Sequence, residues 1–218
     1  MSRRQSTFWN TRNTAIAGLI LTIPFIILAF MVAFNQATLD QIDFNLGSLL
    51  HNLRTSFRSE IALGITTVGD AWSQATIGLI ITSLLLSLKK FKAALWYSLT
   101  MIIGALLLNG AAKAFFGRAR PDNIEALVQE TTFSFPSGHA MGSIILFGGL
   151  AFLVCRMVRK EKFFKGLVIF FCLVTVLAIG LSRVYLGVHY PSDVIGGFSL
   201  GAAWLFLSIS AYGLRATN

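Results

Sequence analysis

His189 and Asp193 stand four residues apart, just ahead of an apolar run. If that stretch turns as a helix, both side chains lie on one face and the carboxylate reaches the imidazole. A carboxylate bonded to Nδ1–H leaves the Nε2 lone pair facing outward, the arrangement of an activated nucleophile. A purely structural His–Asp hydrogen bond has the same spacing. Pro191, between the two, is tolerated in a helix's first turn and does not exclude either reading.

Three cations accompany the pair. Lys113 and Arg183 adjoin apolar runs, where charge is costly and usually functional, and Arg120 follows close behind Lys113. Arginine forks match phosphoryl oxygens in a bidentate way, and lysine adds a point charge. Singly, each also reads as a snorkelling anchor at a membrane interface. Together with two histidines they favour an anion site. Ser137-Gly138 follows Pro136 and opens another apolar run. A serine there caps a helix, a glycine lets a ligand approach the backbone, and a helix N-terminus attracts an anion; a plain N-cap is the ordinary alternative. His139 begins that same run. Protonated, it would donate to a leaving-group oxygen; alone it reads as a solvated cap. The two histidines and Asp193 have zinc-ligand chemistry, but three nearby cations oppose a divalent ion and no HExxH or CxxC pattern occurs, so no metal is expected. Arg118 fits none of these groups and reads as a loop charge.

The elements that must position these residues are membrane helices. The chain has 218 residues, of which 55% are hydrophobic and only 12% charged, about half the usual charge of a soluble domain. A net charge of +9 would suit nucleic acid, but the basic residues sit in short clusters between apolar runs, as membrane loops do, so no nucleic-acid partner is expected. Six runs approach the length of a membrane-spanning helix: Thr14–Phe34, Ala71–Leu88, Ala93–Ala112, His139–Val158, Leu167–Tyr185 and Val194–Leu214. Each must be helical, because an open strand leaves backbone groups unsatisfied in lipid. The fold class is therefore all-α: a polytopic integral membrane protein with six transmembrane helices in a bundle. One domain is expected over residues 1–218, with Thr14–Phe34 a retained first span rather than a cleaved signal.

Arg3, Arg4, Arg12, Lys89, Lys90, Lys92, Arg156, Arg159, Lys160, Lys162, Lys165 and Arg215 fall on one side of these spans; Arg54, Arg58, Lys113, Arg118, Arg120 and Arg183 fall on the other. The richer side is cytoplasmic, which puts both termini inside and the candidate site on the extracellular or periplasmic side. In the first outer loop, Leu46, Leu49, Leu50, Leu53 and Phe57 recur at helical spacing, predicting one short interfacial helix, most simply a cover for the bundle. Gly197 and Gly201 form a GxxxG, and Gly104 and Gly110 would allow close approach of another span. Cys155 and Cys172 read as inert buried thiols rather than a disulfide.

The polar segments resemble the signature of the type-2 phosphatidic acid phosphatase superfamily, which also includes the vanadium haloperoxidases. Its pattern is met as Lys113-x6-Arg120-Pro121, Pro136-Ser137-Gly138-His139 and Ser182-Arg183-x5-His189-x3-Asp193. A three-part spaced match of this kind is a strong signal. The resemblance implies a membrane lipid phosphate phosphatase working without metal or cofactor. His189 would form a phosphohistidine, Asp193 would orient it, and His139 would protonate the leaving oxygen and then activate water. Lys113, Arg120, Ser137, Gly138 and Arg183 would hold the phosphoryl oxygens. The substrates implied are phosphatidic acid, phosphatidylglycerophosphate, diacylglycerol pyrophosphate and undecaprenyl pyrophosphate; the compact size resembles bacterial members. A phosphotransferase on the same site, or a non-catalytic lipid-binding or transport protein, are the alternatives.

Overall fold

The computed structural model describes residues 10–122, 124–158 and 161–214. Arg3, Arg4, Arg159, Lys160 and Arg215, used above for orientation, lie outside these. Among the described residues all regular structure is helical. The order is α1 (Thr11–Phe34), α2 (Gln36–His51), α3 (Ser56–Val68), α4 (Ala71–Ser87) and α5 (Phe91–Met101). A π-helical stretch (Ile102–Leu108) then joins α5 to α6 (Asn109–Phe116), and α7 (Gly138–Met157), α8 (Lys162–Tyr185) and α9 (Pro191–Leu214) follow. Among the described residues five helices are long and apolar enough to cross a membrane: α1, the continuous Phe91–Phe116, α7, α8 and α9. The expected second span is the shorter apolar α4, 17 residues long. The protein is a multi-pass membrane protein of helical bundle form.

Local chemistry accounts for most helix ends. Asn10 caps α1 by accepting from the Arg12 N–H at 3.1 Å. Ser137 caps α7, accepting from Ala140 N–H. Pro191 opens α9, where its missing N–H costs nothing. The third span runs four residues beyond its predicted end at Ala112, so Lys113 lies within the helix rather than after it. Gly117, with φ of 57°, ends it.

At the centre of the bundle α9 crosses α7 closely. A Cβ on Gly197 would lie 2.5 Å from the Ser137 carbonyl oxygen, and one on Gly201 2.8 Å from that of Met141. The GxxxG is thus the seam against the start of α7. Gly197→Ala is expected to cost about 1–3 kcal/mol, since backbone must move to admit the methyl; a thermal melt in detergent checks this, and activity should fall with it because Ser137 begins the candidate site. Gly104 also serves a contact, its Cβ position lying 2.4 Å from Trp204 Cδ1, whereas Gly110 faces open space and supports no approach. The Trp204 indole donates to the Thr100 carbonyl at 2.9 Å where the π-helical stretch begins. A side-chain donor entering the backbone ladder there fits the wider turn.

The outer loop differs from expectation. Two helices, α2 and α3, replace the single short one, with the break at residues 52–55. Leu46, Leu49, Leu53 and Phe57 are exposed, and only Leu50 of the stripe packs inward, against Ala140, Val184 and Val194. The face that α2 buries is Leu39, Asp43 and Gly47. A buried carboxylate decided which side faces in, and the apolar stripe was left outward. Cys155 and Cys172 are free and half-buried rather than buried.

Candidate active site

The chain leaves α8 at Tyr185 and turns through Gly187, whose φ of 77° suits glycine. His189 follows, then α9 begins with Asp193 in its first turn. Asp193 Oδ2 lies 3.3 Å from His189 Nδ1 and accepts from the Tyr190 N–H at 2.9 Å and from the Ser134 hydroxyl. On the opposite edge of the ring, Nε2 lies 3.2 Å from Arg120 Nη1. A guanidinium has donors only, so the nitrogen facing it presents a lone pair. The ring is then the neutral tautomer with its proton on Nδ1, toward Asp193. Burial pushes the His189 pKa well below the usual histidine range, and the Asp193 carboxylate opposes that shift without cancelling it.

Asp193 is itself held by a side chain read from sequence as a loop charge. Arg118 is 1% exposed. Its Nη1 donates to Asp193 Oδ1 at 2.8 Å and to Ser192 Oγ at 2.7 Å. Its Nη2 donates to Asp40 at 2.6 Å and Asp43 at 2.8 Å, both on α2. Ser192 returns its N–H and hydroxyl to Asp43 at 2.8 and 2.5 Å, and the Tyr190 ring lies 4.1 Å from the guanidinium carbon. Burial works against the Arg118 charge, but its carboxylate partners outweigh burial and raise its pKa.

Arg120 spans the site. It donates to the Val188 carbonyl at 2.6 Å and to Thr132 at its carbonyl (2.8 Å) and hydroxyl (3.1 Å). Glu130 bridges the cations: one oxygen lies 3.6 Å from Arg120 and the other accepts from Arg183. Arg183 also donates to Thr66 at 2.7 Å. Lys113 donates to the Phe133 carbonyl. A Cβ on Gly138 would sit 3.0 Å from Asn109 Oδ1, so glycine admits that amide, and Lys113 Cε lies beside the α7 N-terminus, 3.9 Å from the same position. The Gly138 N–H, in the first turn, has no intrahelical partner. His139 Nε2 meets Asp70 Oδ1 at 2.8 Å. Asp70 occupies the N-cap of α4, yet its side chain makes no capping bond.

The family model described as the PAP2 superfamily matches residues 93–216. The chain belongs to the PAP2 superfamily. Phosphatidylglycerophosphatase B of Bacillus subtilis is 32% identical over 190 residues, 86% of this chain and 90% of that one. An undecaprenyl-diphosphatase of Sulfolobus acidocaldarius is 31% identical over 59% of this chain and 60% of its own. The crystal structure of a transmembrane PAP2-type phosphatidylglycerolphosphate phosphatase from Bacillus subtilis superimposes with a TM-score of 0.82 at 30% identity, covering 91% of this chain and 96% of that one. As a PAP2 member related over most of its length to phosphatases, the chain is an enzyme of the phosphatase kind.

Of the eight residues singled out from sequence, contacts join His189, Asp193, Arg120, Arg183 and Ser137, while Lys113 and His139 bond to Phe133 and Asp70 instead. His189 and Asp193 touch directly, and Arg120 joins them to Glu130 and Arg183. Ser137 donates its backbone N–H to the Asp193 carbonyl at 2.9 Å, with Gly138, His139 and Lys113 beside it at the head of α7. Sequence reasoning missed Arg118, Asp43, Ser134, Asp70 and Glu130. Asp70 immediately precedes an apolar run, and a carboxylate there carries no sequence signal of a partner as distant as His139. Glu130 lay in a loop without periodicity. Its carboxylate sits between two cations and would compete there with any bound anion. Glu130→Gln is therefore expected to lower KM several-fold and strengthen inhibition by inorganic phosphate; initial-rate kinetics measure both, and an unchanged KM would remove Glu130 as a competitor for the cations.

Proposed function

We propose that this PAP2 phosphatase hydrolyses a lipid phosphate monoester, of the phosphatidylglycerophosphate type, through a phosphohistidine on His189 at the non-cytoplasmic face. The observation that carries the mechanism is the His189 ring: its Nδ1 edge faces Asp193 and its Nε2 edge faces a guanidinium. The similarity to phosphatidylglycerophosphatase B over most of both chains supports the substrate class.

In the first step the Nε2 lone pair attacks phosphorus. An N–P bond forms as the P–O bond to the lipid breaks, and the electron pair leaves on the lipid oxygen. His139 gives that oxygen a proton, released from its bond with Asp70. Lys113, Arg120 and Arg183, with the Gly138 N–H, stabilise charge on the equatorial oxygens. Arg120 and Arg183 first exchange Glu130 for substrate. Asp193 stabilises the charge that develops on the imidazole without itself taking a proton. In the second step water gives a proton to His139 and attacks phosphorus, the N–P bond breaks, and inorganic phosphate leaves. Fixed cations do what a metal would otherwise do.

α4 is proposed as the sixth span. Its 17 residues extend about 25 Å at 1.5 Å per residue, near the lower limit for crossing. With six spans both termini share the cytoplasmic side, and the site lies at headgroup level on the other. A substrate then keeps its tails in the bilayer.

Purified protein in detergent should release inorganic phosphate from phosphatidylglycerophosphate and phosphatidic acid at rates unchanged by excess chelator. Strict dependence on a divalent ion would contradict the mechanism. The same panel extended to undecaprenyl diphosphate tests the substrate class, and an added alcohol acceptor reveals any transfer in place of hydrolysis.

A further inference from the structure

A cavity of about 380 Å³ opens between α5 and α9, lined by Lys92, Trp96, Thr100, Trp204, Ser208 and Tyr212 among others. Lys92 sits at the start of the Phe91–Phe116 span and Lys113 near its other end. The roughly 30 Å between them at helical rise places the groove's polar end on the membrane face opposite the candidate active site.

Three features define what fits. Along the Phe91–Phe116 span the lining runs from Lys92 to Ile103, about 16 Å at helical rise, or roughly one leaflet of a 30 Å hydrocarbon core. The polar side chains along its length are already committed. Trp96 donates to the Ser208 carbonyl and Trp204 to the Thr100 carbonyl, each at 2.9 Å. Thr100 donates to the Trp96 carbonyl at 2.7 Å and Ser208 to that of Leu205 at 2.8 Å. The wall therefore offers an apolar surface to whatever lies in it. Polar groups remain only at one end: Lys92, which has no ion-pair partner among the described residues, and Tyr212. Arg156 stands behind Tyr212, its guanidinium carbon 5.2 Å from the ring centroid. The groove is thus apolar for one leaflet's depth and cationic at its mouth.

We propose that this groove holds one anionic glycerophospholipid of the leaflet opposite the active site, an acyl chain lying along Trp96 and Trp204 and the headgroup phosphate against Lys92, beside Tyr212. The lipid is a phosphodiester, and this site is independent of the phosphatase chemistry.

The chain has four tryptophans. Replacing Trp9 and Trp72 by phenylalanine leaves Trp96 and Trp204 as reporters. The full chain is reconstituted in bilayers containing brominated-chain phosphatidylserine or brominated-chain phosphatidylcholine, and fluorescence quenching is titrated. Phosphatidylserine should reach half-maximal quenching at a mole fraction roughly five-fold lower per basic residue engaged. Lys92→Glu, an exposed substitution, should abolish that preference. Equal quenching by the two lipids, or a preference that survives Lys92→Glu, overturns the proposal: the groove would then be bathed by bulk lipid.

Discussion

His189→Ala is expected to lower kcat for phosphate release by at least about 10³-fold while leaving KM within a few-fold of wild type. The ratio follows from where the imidazole acts. It contributes bonding in the transition state and little in the ground state, so its loss appears in kcat. In the proposed mechanism substrate binding rests on Lys113, Arg120 and Arg183, which the substitution leaves in place. The protein should remain folded, because Asp193 keeps the Arg118 guanidinium at 2.8 Å and the Tyr190 N–H at 2.9 Å after the imidazole is gone. Phosphate-release kinetics and a melt on one preparation separate the two effects. Near-normal kcat in a folded variant would remove His189 as the nucleophile.

Arg118→Met should be the most destabilising single substitution around the site. It leaves Asp43 and Asp193, both buried, without their counter-charge, along with the partly exposed Asp40. Breaking a buried pair from one side costs about 3–5 kcal/mol, a large part of the roughly 5–15 kcal/mol that holds a typical domain. Lysine should rescue poorly. Arg118 serves Ser192, Asp193, Asp40 and Asp43 at once, and a single ammonium cannot reproduce that planar fork. Arg118→Met combined with Asp43→Asn should recover part of the loss, since one uncompensated charge is removed. A melting series of wild type, the two single variants and the double variant measures this coupling. Arg118→Met melting within a degree or two of wild type would mean the network contributes little.

What could be read before folding divides along a physical line. Lys113, Arg120, Ser137, Gly138, His139, Arg183, His189 and Asp193 were singled out partly by local chemistry (charge beside apolar helices, glycine at a helix start, an i, i+4 His–Asp pair) and as a set by the spaced family signature they resemble. Apolar length located the five long helices and the shorter α4 to within about five residues. Arg118 was not legible because its partners lie 75 and 78 positions away, at Asp43 and Asp40, and contacts at that separation leave no local pattern. The outer loop was read only in part for the same reason. Its leucine stripe predicted one interfacial helix, but two form, and Asp43, bound to Arg118 and Ser192, sets which side of α2 is buried. Asp70 was not legible either: it stands at the N-cap of α4 but spends its carboxylate on His139, 69 positions away.

The covalent intermediate is the centre of this account, and trapping it is the most direct test. His139→Ala should still form the N–P bond with an activated aryl phosphate, whose leaving group needs no proton, while losing the base that activates water. Labelled phosphate should then accumulate on the enzyme, stable to alkali and labile to acid as a phosphoramidate is, and peptide mapping should find it on His189. Continued turnover with no label, or label on any other side chain, would contradict the mechanism.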